Sequence, residues 1–132
     1  MTLLFENKFL QLFLLESENI IKAVWNTETE NMESDDFKVC ISTLWQNLLK
    51  YKPKALLADT RQFLFPIAPE DQEWYAENIP NFGIDTQKVA MLISEGLVEQ
   101  LSIEQTIEED QKSGSLTGYF DDENKALAWI NQ

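Results

Sequence analysis

Four apolar residues in a row, Ala55, Leu56, Leu57 and Ala58, stand between Pro53-Lys54 and the polar triplet Asp59, Thr60 and Arg61. A short apolar run closed by breakers and polar groups is the pattern of a β-strand covered on both faces. Val89, Ala90, Met91, Leu92 and Ile93 form a second such run. Nearer the start, Leu10, Leu12 and Leu14 alternate with Phe9, Gln11, Phe13 and Leu15, which predicts a strand with two largely apolar faces. Glu16 to Asn19 reads as a polar turn. Ile20 to Trp25, with Ile21, Ala23 and Trp25 on one side and Lys22 on the other, completes an antiparallel hairpin that opens the chain.

Helical spacing begins after a polar, acidic stretch, Asn26 to Glu33, that has no periodicity and reads as an exposed loop. Phe37, Cys40, Ile41, Leu44 and Leu48 recur at i, i+3, i+4, i+7 and i+11, predicting an amphipathic helix capped by Ser34 or Asp35. It runs to about Lys50, with Trp45 and Leu49 widening its stripe, and Pro53 prevents its continuing. Phe63 to Pro69 is an apolar, proline-punctuated loop. Pro69 with Glu70, Asp71 and Glu73 suits the first turn of a short helix carrying Trp74, Tyr75 and Ile79, which Pro80 ends. Asn81 to Asp85, containing Gly83, reads as a turn. Leu97 to Lys112 predicts a less regular helix with an acidic, solvated side, and Gly114 marks its exit. Leu116 to Phe120 is a short strand, and Asp121 or Asp122 caps a last helix with Ala126, Leu127, Trp129 and Ile130 facing inward.

Helix and strand alternate from Asp35 onward, which implies parallel crossovers. The expected fold is α/β: a small mixed β-sheet, an N-terminal antiparallel hairpin plus parallel strands, with about four helices in a single domain over residues 1–132. In open α/β sheets ligands and partners are met at the carboxyl ends of the strands. Function is therefore expected near Asp59.

Composition narrows the partners. The chain holds 10 Lys plus Arg against 23 Asp plus Glu, a formal charge of -13. A field of that sign repels phosphate backbones and anionic headgroups, so nucleic acid and membrane surfaces are disfavoured; so much acid serves solubility or, on the sharper reading, a docking face for a protein partner with a basic face. Cys40 is the single cysteine, so no intrachain disulfide can form, and a reducing, cytoplasmic setting fits. The N-terminal stretch lacks a signal peptide's basic n-region and cleavage site, and no segment reaches the about 20 apolar residues that span a bilayer. A homodimer through exposed apolar surface fits the composition, although no residue specifies it.

Three stretches, DFKVCISTLWQNLLKY, ALLADTRQF and GYFDDENKALAWI, taken with the element order, resemble the STAS-like, anti-sigma-factor-antagonist-like superfamily, particularly its bacterial single-domain members. The resemblance rests on patterns of hydrophobicity and covers most of the chain. It implies a small mixed sheet with helices packed beside it and a regulatory role through binding a protein. Members of that superfamily carry an Asp-Ser pair at the exit of the central strand, where a kinase phosphorylates the serine. The matching pair here is Asp59 and Thr60. The small residues that follow the family's pair are replaced by Arg61, Gln62 and Phe63.

Candidate chemistry is limited by what is missing. There is no histidine, which excludes imidazole-dependent catalysis and His-containing zinc sites, and no glycine-rich phosphate loop occurs. No cofactor and no metal are expected. A receiver-type phosphoacceptor role for Asp59 would need a lysine after the last strand, where Asp121 and Asp122 stand instead. Arg61, the chain's one arginine, is suited to a two-pronged grip on a carboxylate or phosphate, or to an ion pair with a neighbouring acid. These observations point to a noncatalytic binding module, not an enzyme, with a contact surface over Asp59 to Ile67 (Asp59, Thr60, Arg61, Phe63 and Phe65 foremost), Ser94 to Gly96 and Asp121 to Asp122. The other reading is a carrier of a small apolar or amphiphilic, lipid-like ligand under the Phe63 to Pro69 loop, contacted by Trp74 and Tyr75. Paired carboxylates such as Asp59 and Asp121, acting as acid and base, are the remaining option.

Overall fold

The computed structural model describes residues 1–79, 88–94, 107–109 and 116–132. Strands β1 (Thr2–Glu6), β2 (Leu10–Leu15) and β3 (Ile20–Trp25) lead into a 3-10 turn (Thr27–Asn31) and helix α1 (Ser34–Tyr51). There follow β4 (Ala55–Asp59), α2 (Pro69–Asn78), β5 (Lys88–Leu92), β6 (Ile107–Glu109), β7 (Leu116–Phe120) and α3 (Glu123–Ile130). The seven strands form one sheet in the order β1-β2-β3-β4-β5-β7-β6. Its middle, β3-β4-β5-β7, is parallel, and antiparallel pairs flank it on both sides. This is the expected mixed α/β sheet.

Residues Ala55, Leu56, Leu57 and Ala58 are all at most 5% exposed, so β4 is covered from both sides. Alternation along each strand divides the core. Leu12, Ile21, Ala23, Leu56, Ala58 and Val89 share a cluster with Phe37, Cys40, Leu44 and Leu48 of α1, against which Trp74 and Tyr75 of α2 also pack. Ile20, Ala55, Leu57, Ala90 and Leu92 face α3, which contributes Ala126, Trp129 and Ile130. Burying each such leucine or isoleucine contributes about 1.5–3 kcal/mol. Gly118 on β7 permits the close approach of α3, because a Cβ there would lie 2.8 Å from the Phe120 ring and 3.3 Å from that of Trp129.

Register sets the rim where function was expected. Asp59 is level with Val24 on β3 and Leu92 on β5, and Leu92 is level with Phe120 on β7. The parallel strands therefore end together. Local caps hold the flanking elements: Asp36 accepts the Glu33 N–H at 3.0 Å, Lys52 ends α1 in the left-handed conformation (φ 47°), and Asp122 accepts the Lys125 N–H at 3.1 Å. Asn19, also left-handed at φ 57°, closes the β2–β3 turn and accepts the Lys54 N–H at 2.9 Å, which ties the start of β4 to that turn.

Four expectations change. The chain opens with three antiparallel strands, not two: β1 pairs with β2 at the sheet margin, with a register shift between Leu3 and Phe5. Its Leu3-Leu4-Phe5 run has no clean alternation, and its order comes from pairing. The acidic stretch after β3 is an ordered 3-10 turn rather than an exposed loop, with Asn26 accepting the Glu28 N–H at 2.8 Å and Thr29 wholly buried. Ile107–Glu109 is a strand antiparallel to β7, where a helix was expected, because sheet pairing overrides local propensity. Three α-helices stand among the described residues, against about four expected. The remainder of the expected helix over 97–112, the turn at 81–85, Pro80, Gly96 and Gly114 lie outside the described residues. Among those described, no helix is long and apolar enough to cross a membrane.

Candidate functional site

Strand alternation sends Asp59 and Thr60 to opposite faces. Asp59 emerges on the α3 side, where Arg61 folds back on it: Nε donates to Oδ1 at 3.0 Å, Nη2 to Oδ2 at 2.8 Å, and the Arg61 backbone N–H to Oδ1 at 3.2 Å. The two-pronged grip of the guanidinium is thus taken by its own neighbour. Burial pushes the Asp59 carboxyl up, but the Arg61 hydrogen bonds and charge, with Lys22 further off, outweigh it and hold the group below its ordinary value. Lys22 on β3 pairs with Glu123 at 2.5 Å, adding a second ion pair on this side. Asp121 is 3.7 Å from Lys125, and Ser94 lies exposed beyond β5.

Thr60 turns toward α1 and α2. Its backbone N–H and its hydroxyl both donate to the Leu92 carbonyl, at 2.9 and 2.8 Å, so the hydroxyl stitches β4 to β5. Beside it opens a cavity of about 470 Å³ lined by Trp25, Phe37, Ile41, Thr60, Phe63, Ile67, Asp71, Gln72, Tyr75 and Met91. Its walls come from the ends of β3, β4 and β5, from α1 and α2, and from the loop between β4 and α2.

A connected series of aromatic rings runs along the cavity, with Trp25, Phe37 and Phe63 lining it and Phe65 and Trp74 packed against them. Trp25 meets Phe63 edge-on at 5.0 Å, Phe63 meets Phe65 at 6.3 Å, and Phe65 stacks on Phe37 at 5.2 Å. Trp74 closes the series against Phe37 at 6.3 Å, with Lys38 5.9 Å above its ring. The loop itself is pinned by Thr29, whose hydroxyl donates to the Asn26 carbonyl at 2.7 Å and accepts the Leu64 N–H at 2.8 Å. Leu64 and Ile67 remain 49% and 41% exposed on this loop, Ile67 at the margin of the cavity it helps to line.

Asp71 is the most unusual residue of the lining. It is 2% exposed, and its Oδ2 accepts the Ala68 N–H at 3.0 Å, holding the first turn of α2. Among the described residues no ion pair reaches it. Cys40 is also buried, accepts a hydrogen bond from Asn7 at 3.4 Å, and has its thiol pushed up by burial, which makes it unreactive.

The residues singled out from sequence fall into two groups. Thr60, Phe63 and Tyr75 line the cavity, with Phe65 and Trp74 packed behind Phe37. Asp59, Arg61 and Asp121 lie on the charged side, and Ser94 projects from the rim. The sequence reading missed Trp25, Phe37, Ile41, Asp71, Gln72 and Met91 as lining residues. Alternation could have found Met91, which shares the face of Val89, and the helical offset from Phe37 could have found Ile41.

The chain was compared with protein-family models, curated proteins and solved structures. It gives no significant match to any of them.

Proposed function

We propose that this chain is a noncatalytic binding domain of STAS-like type that takes up a small apolar or amphiphilic ligand at the carboxyl rim of its parallel strands. The cavity of about 470 Å³ beside Thr60 carries this reading. Its size falls in the range of small-molecule sites, and such sites are mostly apolar with a few polar groups that fix orientation. The chemistry around it favours retention over turnover. The Thr60 hydroxyl is engaged with a backbone carbonyl, the thiol of Cys40 lies in the core, and the chain has no imidazole.

Nile red, a neutral dye that brightens in apolar surroundings, tests the proposal. It is expected to bind the native chain, and Gln72→Trp, placed at the exposed margin of the cavity, is expected to weaken it by about tenfold or more. A dye affinity unchanged by Gln72→Trp would rule the cavity out as the binding site. Native mass spectrometry of gently purified protein supplies a second check, since a retained ligand adds mass.

A second reading, docking of a regulatory protein partner, is favoured by Leu64 and Ile67, two exposed apolar side chains on the rim loop beside Arg61. Under that reading Leu64→Glu with Ile67→Glu abolishes partner capture, whereas Gln72→Trp leaves it intact.

A further inference from the structure

We infer that the cavity selects an organic ammonium ion carrying an apolar body. This rests on the ligand-cavity reading above and adds the charge of the ligand. The argument starts at Asp71. A carboxylate offers about four lone-pair sites, and among the described residues the Ala68 N–H fills one, at 3.0 Å. The group is 2% exposed, and none of the ion pairs among the described residues involves it. Asp71 stands in the first turn of α2 and lines the cavity, so a cation seated there gains an oppositely charged neighbour in sheltered surroundings.

The walls agree with that charge. Among the described residues no lysine or arginine lines the cavity, so an anionic headgroup would meet Asp71 without a facing cation from them. Trp25, Phe37, Phe63 and Tyr75 supply four aromatic rings. Aromatic faces attract ammonium groups through their quadrupoles, most strongly where water is excluded. Ile41, Ile67 and Met91 give the remaining surface for an alkyl body. At longer range the formal charge of -13 concentrates cations around the molecule.

The test uses three ligands of equal chain length, decylammonium, 1-decanol and decanoate, titrated into the full chain below their micelle thresholds and read by calorimetry and tryptophan fluorescence. Decylammonium is expected to bind about tenfold tighter than 1-decanol and about a hundredfold tighter than decanoate. Asp71→Asn keeps an oxygen for the Ala68 N–H but removes the charge. It is expected to lower decylammonium affinity about tenfold while changing 1-decanol less than about threefold. Should Asp71→Asn not fold, Phe63→Leu is the second variant, with an expected loss of about threefold for decylammonium and none for 1-decanol. Decanoate binding as tightly as decylammonium, or an ammonium preference untouched by both variants, overturns the inference. If Nile red and 1-decanol bind without any ammonium advantage, the cavity stands and only the charge assignment falls. If nothing binds, both fall together.

Discussion

Asp59 and Arg61 are two positions apart, and their pairing decides what each can do. The chain's one guanidinium is already gripped by its neighbour, so any competing anion must first displace Asp59. The carboxyl's folded value lies below its unfolded one, so the stability it brings is complete above the unfolded value of about 3.9 and is lost as pH falls through the lower folded value. Arg61→Gln removes the dominant support. The Asp59 carboxyl should then titrate at higher pH, and acid unfolding followed by circular dichroism should begin at a correspondingly higher pH. The energetic effect is small because Arg61 is 42% exposed and solvent screens the pair. An unchanged titration of Asp59 by NMR would show that the pairing is not maintained in solution.

Among the elements, the 3-10 turn after β3 has an influence out of proportion to its size. Thr29 joins it to the rim loop through the Leu64 N–H, so the roof of the cavity is fastened to a segment 35 residues earlier. Thr29→Val keeps the shape but leaves that part-buried N–H without its acceptor, which is expected to cost about 1 kcal/mol in urea unfolding. Thr29→Ser should cost clearly less. This turn was hidden in the sequence because Asn26 to Glu33 is polar throughout, and burial of a threonine depends on partners that periodicity cannot name. The strongly periodic elements were legible: α1 from its i, i+3, i+4 spacing, β4 from its unbroken apolar run, β7 and α3 from alternation and the Asp122 cap. The short strands β1 and β6 were not, since each is specified by the strand beside it rather than by its own residues.

For the molecule as a whole, the acidic balance sets the response to salt. Ten basic against 23 acidic residues leave a net self-repulsion that compaction increases and that added ions screen. The melting temperature should rise as sodium chloride is raised from about 10 mM toward physiological strength, as scanning calorimetry would reveal. A falling melting temperature would mean that the ion pairs on the α3 side outweigh the general repulsion. The rim was legible at this scale, because two buried parallel strands must end near one another. The cavity was not, since its lining gathers residues from Trp25 to Met91, and no spacing along the chain marks side chains that converge from five elements.

The register shift between Leu3 and Phe5 has a bearing on how these molecules meet one another. A strand that slips a residue against its inner neighbour twists its outer row of amides out of step. An incoming chain seeking a straight ladder finds the hydrogen-bonding pitch broken halfway along, and stacking of one molecule's margin on the next is discouraged. The protein thereby guards the open side of its sheet against fibre-like growth with a kink in five residues.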